Sequence, residues 1–223
     1  MAAAPPAMTA SRFPDLPATM RKLPVDHRGF PVPWFVAWAD GKPVFPAMDV
    51  AKFRRAAHGR LCWVCGGRLG RVGAFVIGPM CAVNRVSSEP PSHLECARFS
   101  ARRCPFLSNP RMGRVPLDHY GGSREDVAGI MIERNPGVTL VWQSLRWTIF
   151  DAGGGNPLFD IGRPHKVEYY REGRPATRAE VRESIATGLP ALEAACRADP
   201  DPAAAFAALG RQLTLANALL PAE

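Results

Sequence analysis

Long apolar runs are missing from this 223-residue chain, and none is long enough to cross a bilayer. Residues 1–20 hold no apolar segment of the kind a secretory leader needs, and Pro5, Pro6, Pro14 and Pro17 break any helix there. A membrane is therefore not an expected partner, and the reducing cytoplasm is the expected location. Lysine is scarce: it supplies four of the 28 basic residues (Lys22, Lys42, Lys52 and Lys166). That arginine bias, with abundant Ala and Pro, looks like a GC-rich bacterial or phage genome. It is partly a coding effect and not in itself phosphate recognition. Acidic residues are too few to balance the basic ones, leaving a formal charge of +8 and a pI of about 9.6. The excess suits an acidic partner, with DNA or RNA foremost and a phosphate-bearing ligand or an acidic protein surface as alternatives. The basic residues form no dense run, so solubility alone accounts for the charge equally well.

Catalytic patterns are missing too. His58 ends a basic helix, and His27 and His165 sit beside Pro- or Gly-rich turns. Asp118-His119 has no nucleophile tied to it by spacing. Gly153-Gly154-Gly155 follows a strand with no helix after it, which reads as a loop and not a phosphate cradle.

What the chain does have is a cysteine cluster. Six cysteines in 223 residues is not disulfide density, but Cys62, Cys65, Cys81 and Cys96 fall within 35 residues and Cys104 follows closely. In a reducing compartment such clusters hold metal more often than they pair. Cys62-Trp63-Val64-Cys65 places two thiols on one tight turn, and Gly66-Gly67 frees the backbone to fold over an ion. His93 and Cys96 lie three apart at a helix start and share a face. Those four donors make a closed tetrahedral site for one structural zinc ion. Cys81 is a rival to His93 as fourth ligand. Cys104 lies about 12 Å further along a continuing helix, too far to share the ion. A redox pair at Cys62/Cys65 and buried free thiols remain alternatives.

The predicted elements give an α+β protein: a zinc-stapled central module flanked by a β-hairpin and by a β-plus-helical C-terminal part. Residues 1–24 read as a disordered Ala/Pro arm. Residues 25–107 hold a hairpin turning at Asp40-Gly41, a helix over Met48–His58 and the zinc module. Within that module, strands Ala74–Ile77 and Met80–Val86 join at Gly78-Pro79. A capping box of Ser92 and Glu95 then opens a helix with His93 in its first position. Residues 108–122 read as a linker. Residues 123–223 hold strands over 137–150 and 166–170, then a helix capped by Thr177 and Glu180 and ended by Gly188. Further helices cover Ala191–Ala198 and Pro202–Leu220. The two parts could pack as one domain.

The knuckle Cys62/Cys65 and the helical pair His93/Cys96 resemble a treble-clef zinc finger, over roughly residues 60–104. The span between the ligand pairs is long for that pattern, so an irregular hairpin is expected. The phrases Phe75–Cys81 and Glu89–His93 are also similar to those of small zinc-knuckle proteins of GC-rich bacteria and their phages. The treble clef hosts the His-Asn-His nucleases, whose base is a histidine between the ligand pairs. This chain has none there, Asn84 alone matches, and Asp118-His119 falls after the helix. Nucleic-acid binding has better support: Arg68 and Arg71 follow the knuckle, and Arg98, Arg102 and Arg103 lie on the zinc helix, a set suited to backbone phosphates. A solvated helix face explains them equally well. Trp34, Phe35, Trp38, Trp142 and Trp147 suit either a core or a protein interface. The function expected is a non-enzymatic zinc protein that binds nucleic acid or a nucleic-acid-handling complex. A protein-binding adaptor or inhibitor is the alternative, and an atypical nuclease the third.

Overall fold

The structure is a computed structural model, and it describes residues 11–112, 135–151 and 157–222. The hairpin forms as the Asp40-Gly41 turn predicts, with both turn residues at positive φ. Strand β1 (Val36–Ala39) pairs antiparallel with β2 (Lys42–Met48) as a separate two-stranded sheet. Helix α1 (Val50–Gly59) follows, its first turn capped by the Asp49 carboxylate accepting from the Lys52 N–H.

A four-stranded antiparallel sheet lies at the centre, in the order β3-β5-β8-β9. Its strands are β3 (Gly73–Ile77), β5 (Thr139–Ser144), β8 (Pro164–Arg171) and β9 (Arg174–Pro175). Every residue of β5 is buried, because both faces of the sheet are covered. On one face Phe75, Ile77, Leu140, Trp142, Val167 and Tyr169 join Phe53, Trp63 and Phe159 in the main core. On the other face Ala74 and Val141 meet Ala97 and Ala101 of α3 (Leu94–Arg103). Small side chains on both sides let that helix lie close to the sheet. A second sheet, in the order β4-β7-β6, comprises β4 (Val86–Ser87), β7 (Leu158–Asp160) and the solvent-exposed β6 (Thr148–Phe150). Both sheets mix strands from before and after residue 122.

The structure corrects several expectations. The strand expected over Met80–Val86 does not form, and of these residues Val86 alone lies in a strand, β4. Pro79–Asn84 forms helix α2, with Pro79 at its first turn, where a missing N–H costs nothing. The expected hairpin between the ligand pairs is therefore absent: β3 pairs with β5, and β4 with β7. Gly188 does not end a helix, since α5 runs from Arg178 to Ala198 through both Gly188 and Pro190. A Cβ on Gly188 would lie 2.8 Å from Met80, so glycine there lets α5 pack closely on α2. The final helix α6 (Pro202–Asn217) completes a small core with both, through Met80, Val83, Leu192 and Leu209.

Residues 11–24 do not form a disordered arm. They cross the molecule as a strap with one turn of 3-10 helix at Ala18–Met20, and Met20 and Leu23 are buried. The prolines shape this segment without freeing it. The rest of the predicted arm, the linker from residue 113 onward, Asp118-His119 and Gly153-Gly154-Gly155 lie outside the described residues.

Candidate metal centre

The knuckle is built by backbone bonds. The Cys62 N–H donates to the Gly67 carbonyl at 2.7 Å, the Gly66 N–H donates to the Cys62 carbonyl at 2.8 Å, and Leu61 bridges Arg68. Gly66 sits at φ +71°, and a Cβ there would lie 2.7 Å from Trp34 Cγ. Glycine is required twice over, for the left-handed turn and for the indole laid on it. The second ligand pair comes from the start of α3, although the cap differs from expectation. His93 is the N-cap residue, with no side-chain cap. Ser92 instead exchanges two backbone hydrogen bonds with Ala74, at 2.9 and 2.8 Å. This short antiparallel bridge ties the helix start to the edge of β3.

One donor atom each from Cys62, Cys65, His93 and Cys96 lies within 4.8 Å of all the others. A tetrahedral ion with bonds of about 2.0–2.3 Å needs donor separations of about 3.8 Å, so one ion fits among them. The three cysteines are buried and His93 is half-buried. Cys65 Sγ lies 3.3 Å from His93 Nδ1, while His93 Nε2 lies 2.9 Å from the Arg68 carbonyl. Nε2–H donating to that carbonyl leaves Nδ1 with its lone pair facing the thiols, the tautomer a metal ligand requires. Cys62 Sγ accepts from two backbone N–H groups, those of Cys65 at 3.4 Å and His93 at 3.2 Å.

The electrostatics follow from this crowding. The Cys62 thiol is held far below its ordinary pKa, first by hydrogen bonds from the Cys65 and Cys96 thiols and then by those two N–H groups. Cys65 and Cys96 are pushed up, chiefly because each donates to Cys62. A divalent cation held among these donors would draw off the thiol protons.

Cys81 lies on α2, packs against the main core and is outside this cluster. Cys104 caps α4 (Pro105–Ser108), also away from it. The strap closes one side of the cluster. Met20 and Leu23 pack with Cys62, Cys65, Cys96 and Phe99, and Thr19 Oγ1 lies 3.3 Å from Cys96 Sγ while donating to Glu95 at 2.8 Å. Sequence reasoning missed these strap residues. The signal was the spacing of Phe13, Leu16, Met20 and Leu23, obscured by intervening prolines.

Of the five singled-out arginines, the three on α3 are ion-paired within the chain. Arg68 and Arg71 are exposed beside the knuckle. On α3, Arg98 binds Glu168 through two nitrogens, with Nε at 2.9 Å, and Arg102 and Arg103 converge on Asp15 of the strap at 3.7 and 3.0 Å. The expected α3 side of the basic patch is therefore occupied by carboxylates from within the chain.

Comparison with protein families, with curated proteins and with solved structures finds no match to this chain. Mixed α and β structure and a Cys3His cluster able to hold a metal ion are therefore the firm results.

Proposed function

We propose that the protein is a non-enzymatic, cytoplasmic zinc protein of bacterial or phage origin that binds nucleic acid or a nucleic-acid-handling complex. Cys62, Cys65, His93 and Cys96 hold one structural zinc ion. The observation that carries the reading is the convergence of four soft donors within 4.8 Å. Three thiolates and an imidazole select zinc over harder cations and fill its tetrahedral shell. With no position left for water or substrate, the ion staples the knuckle to α3 and does not activate a nucleophile. The reading keeps the knuckle and ligand-bearing helix of a treble-clef finger, without its hairpin. Function then belongs to the stapled surface, and the charge of +8 favours a polyanion. The test is metal analysis of the purified chain together with a nucleic-acid titration across salt. One zinc per chain and a steep negative dependence of affinity on salt support the reading, and the absence of both would end it.

A second reading, a protein-binding adaptor, has one observation in its favour. The edge strand β6 and its approach expose Leu145, Ile149 and Phe150, with β7 as the pairing partner on one side. An apolar edge of this kind accepts an added strand. Zinc content without nucleic-acid binding at low salt would promote it. The nuclease reading rests on Asp118-His119. Divalent-metal-dependent plasmid nicking that is lost in His119→Ala would revive it.

A further inference from the structure

The arginines fall into two groups. Those on α3 are paired with Glu168 and Asp15. Arg55, Arg60, Arg68 and Arg71 have no carboxylate within ion-pair reach among the described residues. All four are exposed, and contacts tie Arg60 and Arg55 to the knuckle loop that carries Arg68 and Arg71. The Arg60 guanidinium stands 4.2 Å over the Trp147 ring, and its Nη2 donates to the Gly70 carbonyl at 3.4 Å. The Leu69 N–H donates back to the Arg60 carbonyl at 2.9 Å, fixing the end of α1 to the knuckle loop. Arg55 lies 5.5 Å over the Trp34 ring, which rests on Gly66. Arg71 follows three residues after Arg68.

We infer that this α1–knuckle–Trp147 face, and not the arginine-bearing side of α3, is a binding surface for the phosphodiester backbone of nucleic acid. The inference rests on the nucleic-acid reading proposed above and names its site. A guanidinium stacked on an indole is held in plane with N–H edges directed outward, so a phosphate oxygen can be bound at a reduced cost in side-chain entropy. Arg55 and Arg60 are held in this way, and with Arg68 and Arg71, which likewise have no ion-pair partner among the described residues, they offer four cations for one anion to join. Helix α3 cannot serve instead by entering a groove. Its Ala97 and Ala101 lie on the sheet, while Phe13, Asp15 and Thr19 of the strap cover its Phe99, Arg102, Arg103 and Glu95. Contact is therefore with backbone and not with base edges, and sequence preference is weak. The metal centre supports this face directly, because the ring of His93 donates to the carbonyl of Arg68. Loss of the ion releases that ring and loosens the loop carrying Arg68 and Arg71.

The experiment is fluorescence anisotropy of the full zinc-loaded chain with labelled single-stranded DNA, its RNA counterpart and duplex DNA of about 20 units, at about 50 to 200 mM salt. Four phosphate contacts give a log–log salt slope of about −3.6 on duplex or about −2.8 on single strands. Arg60→Ala with Arg71→Ala makes that slope shallower by roughly 1.4–1.8 and weakens binding at least about tenfold. Arg102→Ala with Arg103→Ala changes neither. Zinc content and circular dichroism check folding. Should the Arg60 variant lose zinc, the exposed Arg71→Glu alone serves and is expected to weaken binding about tenfold. Wild-type binding that falls with the α3 pair and not with Arg60 and Arg71 overturns the face and leaves the nucleic-acid reading standing. No wild-type binding to any of the three probes at low salt overturns that reading itself. Binding to phosphatidylglycerol vesicles alone, lost in the same variants, assigns the face to lipid phosphate and also overturns the inference.

Discussion

Met20→Ala tests whether the strap seals the metal centre. Met20 is 2% exposed and packs among Leu23, Leu69, Phe99 and the three ligand cysteines. Removing its side chain loses about 1.5–3 kcal/mol of apolar burial and leaves a cavity, so about 2–5 kcal/mol is at stake. The other holds on the strap are weaker. The Asp15 pairs with Arg102 and Arg103 involve arginines 42% and 45% exposed, and such pairs are each worth less than about 1 kcal/mol in water. The Thr19 hydroxyl contributes about 1 kcal/mol net. Met20 and Leu23 therefore dominate docking, and losing one shifts the strap toward its open state by at least about 2 kcal/mol, about thirtyfold in population. The assay is zinc release to excess chelator, followed with a chromogenic indicator. Release in Met20→Ala is expected to be at least about tenfold faster, with proteolysis within residues 11–24 increased in parallel. Unchanged release kinetics alongside faster cleavage of the strap would refute the idea that the strap guards the metal.

Three further variants are decided by particular contacts. Gly66→Ala places a Cβ 2.7 Å from Trp34 Cγ at φ +71°, and should destabilise by about 2 kcal/mol or more. In Gly70→Ala the new Cβ meets nothing within 4 Å, so that variant should stay within about 1 kcal/mol of wild type by chemical denaturation. The Glu168 carboxyl is held below its ordinary range, first by the Arg98 guanidinium and then by the Tyr170 hydroxyl, against the cost of burial. Because its folded pKa is depressed, its contribution is complete above the unfolded value of about 4.3 and is lost as pH falls through the folded value. Arg98 is 39% exposed, so screening limits the contribution to about 1 kcal/mol. Glu168→Gln should therefore lower stability near neutral pH and flatten the acid limb below about pH 4. An acid limb identical to wild type would show that the Arg98–Glu168 pair does not tie α3 to the sheet.

The donor set was legible because ligand pairs are local: C-x-x-C fixes one turn and H-x-x-C one helix start. The hairpin at Asp40-Gly41 and the Thr177–Glu180 capping box were legible for the same reason, since both signals act within four residues. What failed depended on distant partners. Met80–Val83 is a short apolar run whose period cannot separate strand from helix. The choice is made by α5, which offers Gly188 as the seat for Met80. Ser92 gave up its cap because Ala74 takes its backbone bonds. The strap looked unstructured because its four apolar anchors are spread among prolines, and their seat is made by residues about 40 to 80 positions further along the chain. The α3 arginines looked available because Asp15 and Glu168, which pair with them, lie far away in sequence.

Metal stoichiometry tests the central claim most directly. The full chain, purified without added chelator, should carry one zinc per molecule by elemental analysis. Cys62→Ser and Cys96→Ser should lose it, and Cys81→Ser should keep it. A wild-type chain without zinc, or zinc lost in Cys81→Ser and retained in Cys96→Ser, would contradict the account.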